Sequence, residues 1–455
     1  MNHGRRSVTS GSAKGARVSW TALLLSAGLC GAVAAAAGGS GMGSSMGETV
    51  VATRTGGPIY RPAVKDSVMA VMKRERRARQ ALSDSLRDQA DQRYAELAEK
   101  QRSERLDLCV DWSGIDRPSG LEVFNAAFHF PPQAQYDTGT CWCFCGTSFF
   151  EAEVCRLTGR RVKLSEMWTV YWEFVEQARR FVREYGHSQI TSGSEDQAVR
   201  DIYRRYGAVP AEAYAGVPDP QGRHDHSRLS DELEAYLLWV EEHDYWDEGL
   251  VLAHVRALLD REMGRPPETF VYEGRSWTPQ GFLAEVLQLQ PDDYVSVIST
   301  LKQPFGRRVL FDVPDNWRRQ EDFLNLRLDD FYGLMVAAAQ AGYTASIGGD
   351  TSEPGIDGLE DAAIVPSWDI PAEFIDQASR EMRIDNGATT DDHGVHLVGY
   401  ARHGGRDWFL VKDSNRSSRW GRFKGYYFYS GDYVRLKMLS CMVHRDLLAG
   451  RQIEG

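Results

Sequence analysis

The chain has 455 residues, enough to bury a large core and to form two lobes or domains. It is 42% hydrophobic and 11% aromatic, a globular composition that excludes a collagenous or low-complexity protein. A formal net charge of −11 disfavours nucleic acid as the main partner, because phosphate binding needs a basic face.

The N-terminus has the layout of an export signal. Arg5, Arg6, Lys14 and Arg17 precede an apolar run from Trp20 to Ala36, and small residues at Ala35 and Ala37 suit cleavage before Gly38. Residues 1–37 are therefore read as a signal peptide, and the protein as secreted or periplasmic. Membrane attachment is the alternative, through an uncleaved run or a lipid on Cys30, although Leu29 is a poor residue to precede a lipidated cysteine. No later stretch reaches the roughly 18 apolar residues that a membrane helix needs. Residues 38–62, rich in Gly, Ser, Met and Pro, read as a flexible leader.

From Asp66 to about Arg105 the chain is charged and nearly free of Gly and Pro. Val68, Met72, Leu82, Leu86, Ala90, Tyr94 and Leu97 recur mostly four apart, which predicts a long helix with one thin docking edge across residues 63–107. In the main domain, 108–455, helix is expected over Cys141–Leu157, Ser165–Tyr185, Ser194–Tyr206 and Asp231–Met263. The texture then changes. Strands are expected at Tyr294–Ser299, Arg307–Phe311, Tyr343–Gly349, His396–Ala401, Asp407–Lys412 and Val434–His444, with a helix over Leu328–Gly342. The reading is an α+β fold with a helical lobe (108–230), a helical insertion (231–290) and a β-rich lobe (291–455).

The stretch "TGTCWCFCGTSFF", Thr138–Phe150, holds three cysteines in five positions. With Cys30 in the signal, six cysteines remain, too few for a disulfide-built scaffold. On a helix Cys141 and Cys145 share a face while Cys143 points about 200° away. No C-x-x-C pair elsewhere completes a zinc site, so no metal is implied. Cys143 and Cys145 read as small core residues. Cys141 stands at the start of the helix, where the helix dipole and a nearby imidazolium favour a thiolate, and it is the candidate nucleophile. Its plainer reading is a buried core cysteine.

The imidazole must come from elsewhere in the chain. In "DDHGVHLVGYA" (Asp391–Ala401), His393 stands just before an apolar strand, with Gly394 leaving room for its ring at a strand edge. His396, on the strand itself, reads as structural. Asp413 closes the following strand, near enough for a His–Asp pair, or else it caps a turn.

These motifs resemble the papain-like cysteine peptidases. "DHGVHLVGY" is similar to that family's histidine motif, and Gln135 with "GTCW" to its nucleophile motif. Gln135 precedes Cys141 by the spacing the family uses for its oxyanion-hole glutamine. Within the family, "VKLSEMWTVYWEFVEQARRF" (Val162–Phe181), "YGAVP" (Tyr206–Pro210), "GYTASIGGDTSEPG" and "KGYYFYSGDYVRLKMLSCMVHRD" resemble the bleomycin hydrolase and aminopeptidase C branch. The similarity runs discontinuously from about Phe128 to Leu447.

Three positions depart from the pattern. Thr138 stands where a cysteine is usual. Asp413 stands where the family carries Asn, and Asn415 where it carries a shielding Trp.

The resemblance implies acyl transfer: Cys141 attacks the carbonyl, His393 moves the proton, Asp413 orients His393, and Gln135 with the Cys141 backbone N–H holds the oxyanion. It implies peptide substrates and no cofactor. An exported aminopeptidase is expected, with an endopeptidase or an inactive peptide-binding homologue as alternatives. In that branch a C-terminal tail restricts cleavage to chain ends; here only Leu447–Gly455 follows the last motif. Intracellular members form hexamers, so self-association into a homo-oligomer stays open.

Overall fold

The computed structural model describes residues 58–63, 66–104 and 106–449. The signal segment, most of the leader and the tail beyond residue 449 lie outside them. In chain order the elements begin with α1 (Ser67–Glu104), β1 (Asn125–Ala126), α2 (Cys141–Thr158), α3 (Glu166–Arg183), α4 (Gln197–Tyr206), α5 (Ser227–Glu242) and α6 (Glu248–Met263). The hairpin β2 (Phe270–Tyr272) and β3 (Arg275–Trp277) follows, then a short α7 (Pro279–Gly281) continued by a π-helical turn. The remainder is β4 (Tyr294–Ile298), β5 (Arg308–Val309), β6 (Phe323–Asn325), α8 (Leu328–Gln340), β7 (Ala345–Gly349), β8 (Ile356–Asp357) and β9 (Ala362–Ala363). It closes with α9 (Gln377–Asp385), β10 (His393–His403), β11 (Arg406–Lys412), β12 (Tyr426–Ser430), α10 (Gly431–Lys437) and β13 (Met438–His444).

The chain divides into two units, the first ending at Glu99. Within α1 every described side chain is exposed, including the stripe of Val68, Met72, Leu82, Leu86, Tyr94 and Leu97 that the sequence assigns to a docking edge.

In the second unit the α3–α6 helices form one core. Ser165 Oγ caps α3 by accepting the Trp168 N–H at 3.0 Å, and Asp247 caps α6 through the Leu250 N–H at 2.9 Å. The expected single helix Asp231–Met263 is thus two. Asp244 takes a left-handed φ of 51°, the chain reverses, and a new cap begins α6. Val240, Tyr245, Trp246 and Leu250 keep apolar residues four to five apart across that break, which is why the pattern alone does not show it.

The β-rich half is one mixed sheet ordered β5-β6-β4-β13-β7-β10-β11-β12-β9-β8, with β1 also on β10. The segment Val434–His444 is not all strand. Ser430 caps the short α10, and only Met438 onward joins the sheet. β12, in "YYFYS", is a strand not expected from sequence. Phe331, Leu334, Met335, Ile347, Val395 and Val411 fill the core beneath the sheet. Each such large apolar side chain contributes about 1.5–3 kcal/mol on burial.

α2 lies between the two layers and is buried continuously from Trp142 to Val154. Cys143, Phe149 and Phe150 join the helical core, while α2 also packs on β10 and β7. A helix buried on every side is what this central position requires, and its two buried carboxylates, Glu151 and Glu153, are paired with Lys163 and Arg156.

Candidate active site

Cys141 is the first residue of α2 and is half-buried. The first N–H groups of a helix have no intrahelical acceptor, so the Cys141 N–H is available to an oxyanion beside the thiol. The loop leading in is tightly held. Thr138 Oγ1 donates to the Gln135 carbonyl at 2.9 Å and lies 2.6 Å from Thr140 Oγ1. At the position where the resembling family carries a cysteine, a threonine hydroxyl therefore ties the loop. Gly139 has φ 62°, and a Cβ there would lie 2.1 Å from Ser192 Oγ, so both its backbone angle and its neighbour require glycine. Tyr136 also has positive φ, 55°, a strained conformation beside the site. Trp142 is fixed by its indole N–H, which donates to the Ser192 carbonyl at 2.9 Å.

His393 is the first residue of β10, a strand paired on both sides rather than at a sheet edge. Its Nε2–H donates to Asp413 Oδ1 at 2.8 Å, and the two side chains are only 6% and 2% exposed. Asp413 Oδ1 also accepts the Asn415 N–H at 2.7 Å, which fixes the carboxylate. The pair stays buried without the tryptophan that Asn415 replaces. Tyr427 and Tyr429 on β12 lie close enough to feel the Asp413 charge.

The Cys141 thiol is within hydrogen-bonding reach of the His393 ring. Burial acts to lower the imidazole pKa, but the charge of Asp413, then that of Cys141, and hydrogen bonds to both outweigh it. His393 is held well above its ordinary value.

Gln135 completes the group. Its Oε1 accepts from Ser414 Oγ at 2.7 Å, and its backbone N–H donates to the Ser414 carbonyl at 3.0 Å. With the amide oxygen engaged, the NH₂ end is left as the donor.

All four sequence-predicted residues, Cys141, His393, Asp413 and Gln135, thus come to one place. The other two cysteines of the motif do not join them. Cys143 Sγ donates to the Glu166 carbonyl at 3.2 Å in the helical layer, and burial pushes its thiol pKa well up. Cys145 Sγ lies 3.2 Å from Ser346 Oγ on β7. A Cβ on Gly394 would sit 2.8 Å from Cys145 Sγ and 3.3 Å from the Trp142 Cα. Glycine there lets β10 close onto α2 and brings His393 to Cys141. In sequence Gly394 only leaves room for the ring beside it; its packing against Cys145 arises from the fold.

His396 is fully buried and takes its hydrogen from Ser148 Oγ, 2.8 Å from its Nδ1, while Lys412 Nζ donates to the same hydroxyl at 2.8 Å. Burial, then Lys412, pushes its pKa well down, so it is a neutral structural residue. Asp350 accepts the Ser352 and Thr390 N–H groups at 2.9 and 2.8 Å and shapes the turn before His393.

No family model and no curated protein matches the chain. Among solved structures, PepW from Lactobacillus rhamnosis HN001 superposes with a TM-score of 0.56 at 18% identity, over 71% of this chain and 82% of that one. Digestive procathepsin L 3 of Tenebrio molitor larval midgut gives a TM-score of 0.33 at 14% identity, over 74% of each chain. A structure from work on the mite allergens Blo t 1 and Der p 1 gives 0.36 at 13%, over 74% of this chain and 75% of that one. The PepW likeness establishes the fold, a papain-like α+β arrangement of a helical lobe and a β-rich lobe with a helical insertion.

Proposed function

We propose that the protein is an exported cysteine-type peptidase, and specifically an aminopeptidase, hydrolysing peptide bonds by thiolate attack. The observation that carries this reading is the buried 2.8 Å His393–Asp413 hydrogen bond beside Cys141 at the start of α2. The imidazole is held charged, and a charged imidazole next to a thiol at a helix N-terminus is the pairing that makes a cysteine nucleophilic.

In the first half-reaction the Cys141 sulfur bonds to the scissile carbonyl carbon. The C–N bond breaks as His393 passes its Nδ1 proton to the leaving amine. In the second, neutral His393 takes a proton from water, whose oxygen displaces the sulfur to release the acid. The Gln135 amide and the Cys141 N–H receive the oxyanion, each donor worth about 10²–10³ in rate. Asp413 keeps the ring in the tautomer and orientation both steps need. The aminopeptidase assignment rests on the segments resembling the bleomycin hydrolase branch, and the exported state on the N-terminal basic and apolar run.

Hydrolysis of fluorogenic aminoacyl substrates in reductant, with Cys141→Ala as control, tests it. Cleavage of free-amine but not acetylated substrates, lost in the variant, is expected. Cleavage of the acetylated ones would make it an endopeptidase. No cleavage across a broad panel would make it a peptide-binding homologue.

A further inference from the structure

The long helix α1 plays no part in the chemistry above, and its apolar stripe lies bare. Val68, Met72, Leu82, Leu86, Tyr94 and Leu97 are between 48% and 75% exposed. At about 100° per residue they fall within one arc of about 120°. Arg76, Arg79 and Arg93 lie in the same arc and Arg87 borders it; Glu75 is there too, outnumbered. Asp84, Asp88, Glu96 and Glu99 point away from the arc. Two of these acids are tied on the far side, Asp84 accepting from Gln80 Nε2 at 2.8 Å and Glu96 from Gln92 Nε2 at 3.2 Å.

Apolar and basic side chains thus share one face for about 45 Å, from Val68 to Leu97 at about 1.5 Å per residue. Lys73, Arg74 and Arg77 add positive charge around the first turns. The formal net charge of −11 repels the chain as a whole from an anionic surface. Attachment to one therefore needs a place where positive charge is segregated, and α1 supplies it.

The apolar part of the face selects among anionic surfaces. Leucine and methionine between arginines gain little against a solvated nucleic-acid backbone. Beneath lipid headgroups they leave water, while guanidinium groups reach back to the phosphates. Pairing of two copies along the stripe would set Arg76 and Arg79 in the seam between Met72 and Leu82, where a desolvated guanidinium is costly. The helix lies along a bilayer and not across it, since among the described residues no helix is long and apolar enough to cross.

We infer that α1 is a peripheral membrane anchor whose Val68–Leu97 face lies in the headgroup region of an anionic phospholipid bilayer. The apolar side chains sit below the headgroups, and Arg76, Arg79, Arg87 and Arg93 meet the lipid phosphates. The anchor is independent of the peptidase reading.

Cosedimentation with vesicles tests it, using the chain from Gly38 onward because the apolar run before Gly38 would insert by itself. Binding to vesicles of equal parts phosphatidylglycerol and phosphatidylcholine is expected to exceed binding to phosphatidylcholine alone by about 100-fold or more. Each arginine near an anionic surface is worth about fivefold, and four act together. The preference should collapse toward one when Arg76, Arg79, Arg87 and Arg93 are all changed to Gln, and in high salt. Leu82→Gln with Leu86→Gln should weaken binding by about tenfold or more. Ala81→Gln with Ala95→Gln, on the opposite face, should leave it unchanged, and circular dichroism checks that each variant keeps its helix. Equal binding to both vesicles, or binding indifferent to the arginine and leucine variants, overturns the inference. So does failure to bind vesicles, whether the chain then sediments as a dimer, with a second copy on the stripe, or as a monomer.

Discussion

Asp413→Asn is the most informative single substitution. The amide keeps the shape and one acceptor oxygen but removes the charge that holds the His393 proton. The 2.8 Å hydrogen bond puts the two charge centres about 4 Å apart. That separation is worth about 4 kcal/mol at an effective dielectric of about 20. At 1.36 kcal/mol per pH unit this is about 3 units of imidazole pKa. The surviving hydrogen bond retains part of it, so a fall of about one to three units is expected. NMR titration of the labelled His393 imidazole measures it directly, and the alkaline limb of kcat/KM should move down by the same amount. The linkage has a definite sign. A histidine raised in the folded state contributes stability fully below its unfolded value of about 6.5, and loses it as pH rises through the folded value. The melting difference between wild type and variant should therefore be widest near pH 6 and narrow toward alkaline pH. An imidazole that shifts by less than half a unit would refute the argument that Asp413 supplies the field.

Gly394→Ala should lower kcat/KM by about 10²-fold with the fold retained, because its Cβ meets Cys145 Sγ at 2.8 Å and separates β10 from α2. Adding Cys145→Ala should recover part of the loss, as steady-state kinetics on the two variants will read. Thr138→Ala removes the hydroxyl that ties the Gln135–Cys141 loop and should cost about 0.5–1.5 kcal/mol in denaturant unfolding. His396 is depressed, so its contribution is present above about pH 6.5 and lost as pH falls toward its folded value. His396→Asn should accordingly flatten the stability profile between pH 6.5 and 4.5 by on the order of 2 kcal/mol, measured by urea unfolding at both ends.

Much of the candidate site was legible because its chemistry is carried by short motifs. The glutamine, the helix-opening cysteine, the histidine at a strand start and the aspartate at a strand end are each visible in the sequence. Strand and helix centres were legible for the same reason, since periodicity reports a buried face. Breaks and contacts were not. The left-handed turn at Asp244 interrupts no hydrophobic pattern, and α10 hides in a strand-like run because its helix depends on the Ser430 cap. The Cys145–Gly394 contact joins residues far apart in sequence.

The central claim is that Cys141 is an activated nucleophile, and competitive alkylation tests it most directly. The chain is treated with limiting iodoacetamide near pH 6, and each cysteine is quantified by peptide mass spectrometry. An ordinary thiol reacts according to its exposure, so exposed Cys109 should outrun half-buried Cys141. Activation by His393 reverses that order. Labelling of Cys141 at least 100-fold faster than Cys109, lost in His393→Ala, is the expected result. Cys109 labelled first, with Cys141 indifferent to the His393 substitution, would contradict the account.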